Sequence, residues 1–364
     1  MAEAEGRVPV GALLVGAGRR LLRSRLVISV AVGFALSFVV GGVLIAMVGT
    51  DPLEALRVAF EGALTTRQGF GNTLVFATPR LLVGLGACVA IRSGVFNLGG
   101  EGQLQMGGVG AALPGVLVGS LGAPAHQLHA LAAAAAVGAV WALLAALLQV
   151  WRGASVLITT LLMNFVAIFF VQYLVQGPFQ GATAAYNSSE RIHATAELPV
   201  VLPGTRVHLG FVIALVAVLF TTLLFHRTTL GTEFRAAGFN ARAAVFSGLS
   251  PRRLIVAAMG ISGALGGLAG AGEILGVQFR LLQGFSTNIG FEGLAVAFLA
   301  GLSPTGTLLV ALLFGALQSG VLELQHELGI PVSIAFIMEG LPIIFLAASR
   351  GLSLLAGVRT SGAV

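Results

Sequence analysis

Asn97-Leu98-Gly99-Gly100-Glu101-Gly102 recurs 191 residues later as Asn288-Ile289-Gly290-Phe291-Glu292-Gly293. Each copy sits where an apolar run is broken. Glycine lets the backbone leave helical geometry, and non-helical backbone at membrane depth is tolerated only beside protein or a water-filled cavity. An ionisable side chain in hydrocarbon costs at least about 2.5–3.5 kcal/mol, so Glu101 and Glu292 are expected to face the interior of a helix bundle. Two roles are open to these carboxylates: tying broken helices together, or lining a solute path with Asn97 and Asn288.

The rest of the chain supplies that bundle. Of 364 residues, 57% are hydrophobic and only 9% charged, with a mean hydropathy of +0.97. Soluble domains carry about 25% charged residues, so this surplus of apolar surface requires a membrane. All 20 basic residues are arginine, which excludes a P-loop, whose lysine reaches the phosphates. The single cysteine, Cys88, cannot form an internal disulfide and reads as a small buried hydrophobe. The six histidines show no metal-site spacing, and no nucleophile elbow is present.

A membrane helix needs about 20 apolar residues. Ten stretches qualify approximately: Leu26–Val48, Thr73–Ile91, Glu101–Gly119, Gln127–Val150, Val156–Val175, Leu209–His226, Leu254–Glu273, Ile289–Leu302, Thr307–Leu322 and Pro331–Ala348. Glycine and polar residues interrupt the third and eighth. The expected fold is all-α: a polytopic membrane bundle of about ten helices, preceded by a segment 1–25 and followed by a tail 351–364. Asn164 and Glu339 are further polar groups within spans.

Arginine placement orients the bundle, and reports orientation rather than a nucleic-acid partner. With both termini cytoplasmic, fourteen arginines lie inside: Arg7, Arg19, Arg20, Arg23, Arg25, Arg92, Arg152, Arg227, Arg235, Arg242, Arg252, Arg253, Arg350 and Arg359. Only Arg57, Arg67, Arg191, Arg206 and Arg280 lie outside, and Arg80 falls within a span. Five spans separate the two hexapeptides, so their orientations are opposite. An inverted-topology repeat of this kind is typical of transport folds.

Outside the spans, Asp51-Pro52-Leu53-Glu54 reads as a cap, an N1 proline and a first-turn acid. Leu53, Leu56, Phe60 and Leu64 then recur at helical spacing, predicting an interfacial amphipathic helix. The polar, proline-bearing segment 177–208 forms a long outer loop, and loops of that length in compact bundles are usually functional. Inside, the loop 227–252 contains Asn240 as an N-cap, Ala241–Ser247 as a helix former and Gly248 as a left-handed terminator.

This loop, from Thr229-Leu230-Gly231 through Arg235-Ala236-Ala237-Gly238-Phe239-Asn240 to Gly248, resembles the coupling-helix loop of ABC importer permeases. The branched-chain amino acid and simple-sugar permease superfamily is the nearest group. Arg92-Ser93-Gly94-Val95-Phe96-Asn97 through Gln103, and Val156–Asn164 with Gly177-Pro178 beyond, are similar to its nucleoside and simple-sugar branch. The similarity runs from about Asp51 to Arg350. It implies a multi-pass permease subunit of a bacterial plasma (inner) membrane importer for nucleosides or simple sugars, with no cofactor of its own. Its implied partners are a homologous second permease, a cytoplasmic ABC ATPase holding ATP and magnesium, an extracytoplasmic substrate-binding lipoprotein and membrane lipid. Asn97, Glu101, Gln103, Asn164, Asn288 and Glu292 then become the candidate path residues. Glu233, Arg235, Gly238, Asn240, Ala244 and Gly248 become the candidate coupling residues. The alternative is a self-sufficient secondary transporter, which would need ion ligands or a proton relay in its spans.

Overall fold

A computed structural model describes residues 28, 32–182 and 186–331, and beyond them 333, 334, 337, 338, 340, 341, 344 and 345. Among the described residues the structure is helical, with only two isolated β-bridges, Ser188–Leu282 and Val200–His208. The chain divides into two compact units, residues 57–324 and residues 1–56 with 325–364. The segment 1–25, the tail 351–364, Glu339 and most of the stretch Pro331–Ala348 lie outside the described residues.

Helix α1 (Val32–Met47) belongs to the smaller unit. Helix α2 (Pro52–Phe60) starts as its sequence demands, because the Asp51 carboxylate accepts the Leu53 N–H at 2.9 Å. It is shorter than the amphipathic helix expected. A π turn, Glu61–Thr65, follows it, and Thr66 caps the next helix through the Gly69 N–H at 3.0 Å. Leu53, Leu56, Phe60 and Leu64 are all exposed, so the apolar stripe exists.

The larger unit is built around α3 (Arg67–Arg92), in which every residue from Ala77 to Ala90 is buried. A helix that is apolar all round belongs in a core. After α3 come α4 (Gly100–Leu117), α5 (Ala123–Arg152), α6 (Val156–Gln176), α7 (Leu209–Arg227), α8 (Thr229–Phe239) and α9 (Ala241–Phe246). Helices α10 (Pro251–Glu273, continued as a π turn Ile274–Gln278), α11 (Ile289–Leu299) and α12 (Pro304–Leu328) complete the set. Six of these are long and apolar enough to cross a membrane: α3, α5, α6, α7, α10 with its π turn, and α12. The two stretches broken by polar residues differ from the others. Helix α4 carries Glu101, Gln103 and Gln105 and is wrapped by α5, α6 and α10. Helix α11 has 11 residues, about 16 Å at 1.5 Å each, roughly half the hydrocarbon thickness.

Small residues set the spacing. A Cβ at Gly263 or Gly267 would strike the α5 backbone at Gly138 and Ala134, while one at Gly270 would strike α4 at Leu104. One glycine face of α10 thus seats α5 and the other seats α4, the close approach that small residues permit. Helix α11 packs in turn on α3.

Segment 177–208 is a strap rather than a free loop. Backbone bonds run from Ser189 to Leu281, Ile192 to Phe279 and Leu198 to Leu275, all 2.8–2.9 Å. The segment ends at His208, whose Nδ1 accepts the Gly210 N–H at 3.1 Å and whose ring lies against Gly276. Burial, helped by Arg206, pushes this imidazole down to about 4. An unfolded chain protonates it near 6.5. Its neutral form is therefore the folded form, and stability should be full above pH 6.5 and fall as the pH drops toward 4. In detergent, the melting temperature of the wild type should decline from pH 7 to pH 5, and H208N should flatten that decline. An unchanged slope in H208N would refute it.

Candidate solute path and coupling surface

The first hexapeptide is stitched into its surroundings at nearly every polar atom. Asn97 donates to Ser262 Oγ on α10 at 3.0 Å and accepts from the Gly99 N–H at 2.8 Å and Gln103 Nε2 at 3.2 Å. From α6, Thr160 Oγ1 accepts the Leu98 N–H, and Asn164 both accepts the Gly102 N–H and donates to Leu98 O, each at 2.8 Å. The backbone groups released by the break are thus satisfied by side chains, as hydrocarbon requires. Asn97, Glu101, Gln103 and Asn164 are all buried.

The two hexapeptides meet. Glu101 accepts the Gly290 N–H at 2.8 Å through one oxygen and Gln105 Nε2 at 3.1 Å through the other. Glycine is needed at 290, because a Cβ there would collide with the Glu101 backbone. The second copy is used differently. Asn288 stands in the left-handed region (φ 67°) as the cap residue of α11, makes no side-chain cap bond and is exposed. Glu292 is half-buried and forms an ion pair with Arg80 of α3 at 2.6 Å, while Arg80 also donates to Phe76 O at 2.7 Å. Sequence reading gave the two copies one role; the structure separates them.

At the other candidate site, α8 and α9 follow one another directly, each opened by a side-chain cap. Thr228 caps α8 through the Gly231 N–H at 3.1 Å. Asn240 caps α9 through the Arg242 and Ala243 N–H groups at 3.0 and 3.1 Å, and Gly248 takes φ 80°. Gly238 lies against the Arg92 carbonyl at the end of α3, where a side chain has no room. Phe234, Ala237 and Ala244 join Val89, Leu224, Phe225, Leu254 and Ala258 in one apolar cluster. Ala244 is only 3% exposed, so its methyl packs inward against that cluster. Glu233 is half-buried, and exposed Arg235 lies back along its own helix onto Gly231 O and Thr232. The groups that do project are Phe239 and Phe246, 95% and 93% exposed.

Residues 69–347 match the model of the family described as branched-chain amino acid transport system / permease component. The chain belongs to this family. The permease is similar to the guanosine ABC transporter permease protein NupP of Bacillus subtilis (strain 168), 32% identical over 90% of this chain and 94% of the relative. The nucleoside ABC transporter permease protein NupB of Lactococcus lactis subsp. cremoris (strain MG1363) is 30% identical over 89% of this chain and 92% of its own. The glucose ABC transporter permease protein TsgB13 of Haloferax volcanii (strain ATCC 29605) is 33% identical over 85% and 84%. No solved structure gives a significant match.

The permease is therefore a multi-pass membrane component of a transport system. Two features escaped sequence reading. Arg80 had no assigned partner, although a lone charge in a span signals that one exists. Phe239 and Phe246 were passed over, although two aromatics in an arginine-rich loop far from the apolar runs are such a signal.

Proposed function

We propose that this chain is the permease subunit of an ATP-driven importer for nucleosides or simple sugars in a bacterial plasma membrane, working beside a second, homologous permease. The observation that carries the reading is the pairing of a nucleoside-permease relationship over most of the chain with a rigid, capped helix pair presenting two bare phenylalanines. In this reading α8 and α9 lie at the cytoplasmic face. The docked half of the pair, Phe234, Ala237 and Ala244, transmits movement to α3, α7 and α10, and the projecting half engages an ABC ATPase that holds ATP and magnesium. A binding lipoprotein delivers solute from outside. Nothing favours the self-sufficient transporter.

Of the six path candidates, Asn288 and Glu292 face the solute in this reading, while Asn97, Glu101, Gln103 and Asn164 hold the broken helices in register. The hydrogen bonds support that division, since the first four side chains are engaged within the chain and Asn288 is not. The inverted repeat then has a purpose: one copy is the brace and the other the lining. N288A should keep folded yield and lower ATP-driven guanosine uptake about tenfold. N97A should lower folded yield, because buried Gly99 N–H and Ser262 Oγ lose their partner. Normal uptake by N288A at normal expression would contradict the assignment.

A further inference from the structure

Three amide side chains from distant segments converge on one oxygen. Gln176, the last residue of α6, donates to Gln283 Oε1 at 3.0 Å, and Asn187 of the strap donates to the same oxygen at 2.8 Å. The Gln283 N–H also donates to the Asn187 carbonyl at 3.0 Å, so backbone pairing fixes the two residues opposite each other. All three side chains are exposed. Two donors spent on one acceptor leave the Gln283 amide N–H pair and the Gln176 and Asn187 carbonyl oxygens without a bond among themselves. An uncharged amide cluster offers both donors and acceptors, in the alternation that a neutral heterocycle presents at its edge.

The second observation is independent of the first. The chain has two tyrosines, and both neighbour this cluster in sequence. Tyr173 lies three residues before Gln176, on the same face of α6, and is 63% exposed. Tyr186 directly precedes Asn187 and is 80% exposed. Two charged side chains of the strap are engaged within the chain: Arg191 pairs with Glu197 at 2.9 Å and lies over the Phe279 ring, and Glu190 accepts the Ala182 N–H at 2.7 Å. Arg280 stands three residues before Gln283. Aromatic side chains beside amides are the chemistry that recognises a nucleobase by stacking and edge hydrogen bonds.

We propose that Tyr173, Gln176, Tyr186, Asn187 and Gln283 form a reception site for the neutral base of a nucleoside at the outer mouth of the permease. The proposal rests on the importer reading above and selects nucleosides over sugars within it. The site holds the base in passing, so modest affinity is enough.

The test uses the full importer in proteoliposomes, with a reporter cysteine beside the cluster rather than in it, Pro178→Cys or Gln180→Cys, both at exposed positions. Native Cys88 is buried and does not compete for an impermeant thiol reagent. Guanosine should slow labelling at both positions at least fivefold, glucose and ribose should not, and Y173A should abolish the protection. No protection by guanosine, or equal protection by glucose, would overturn the site. Absence of ATP-driven uptake of either solute class by the wild-type importer is a different result, and it would remove the functional reading beneath the proposal.

Discussion

Phe246→Asp should abolish ATP-driven uptake and release the ATPase subunit from the purified complex, with membrane insertion and folded yield unchanged. The side chain is 93% exposed at the last residue of α9, so nothing inside the chain depends on it. Covering a phenylalanine in a partner is worth about 1.5–3 kcal/mol, and an aspartate forced into the same place adds the penalty of an unpaired buried carboxylate. A combined loss of about 4 kcal/mol corresponds to roughly a thousandfold in affinity. Phe239→Asp should act in the same direction from the other end of the helix pair. Ala244→Glu supplies the contrast. It places a carboxylate in the cluster of Val89, Leu224, Phe225 and Phe234, so folded yield should collapse before docking can be measured. Co-purification of the ATPase with Phe246→Asp at wild-type levels would remove Phe246 from the docking face.

The second large effect concerns Arg80 and Glu292. Both lie in the larger unit, on α3 and α11, with the guanidinium almost fully buried. Breaking a buried pair by removing one partner typically costs about 3–5 kcal/mol, whereas replacing both by neutral groups of similar volume is often neutral. R80M alone should therefore lower the melting temperature and folded yield severely, and E292Q should do so to a lesser degree because Glu292 is less buried. The double variant R80M/E292Q should recover most of the lost stability. If Glu292 also lines the path, the recovered protein should still transport poorly. Stability of the double variant no better than R80M would show that the two groups are not coupled.

Much of this architecture was legible from residues alone, for identifiable reasons. Caps and terminators are local, so Asp51, Asn240 and Gly248 announced their helix ends correctly. The glycines spaced four apart in α10, Gly263 with Gly267 and Gly266 with Gly270, mark close packing in sequence, but only the structure shows that the first pair meets α5 and the second α4. The third stretch was placed well, since α4 covers Gly100–Leu117, while α11 ends at Leu299, three residues short of the eighth. Both tolerate polar residues because neighbouring helices satisfy what the bilayer cannot.

The site was half legible. The repeat pointed to two segments that the structure joins through Glu101 and Gly290, and the resemblance pointed to the loop that folds as α8 and α9. Neither could assign roles, because equal sequence in the two copies meets unequal surroundings. Asn97 finds Ser262 and Gln103 within reach, whereas Asn288 finds neither and stays exposed. The inward packing of Ala244 was not legible for a similar reason. On a six-residue helix the buried and projecting faces are decided by what packs beneath, and that is α3, α7, α8 and α10.

The most direct test of the central claim is guanosine uptake into proteoliposomes holding this permease, its homologous partner, the ATPase and the binding lipoprotein. The account predicts uptake that requires ATP inside the ATPase-bearing face, stops when the ATPase is inactivated, and is indifferent to a protonophore or sodium ionophore. Uptake by the permease without the ATPase, or uptake that an ionophore abolishes at constant ATP, would contradict it.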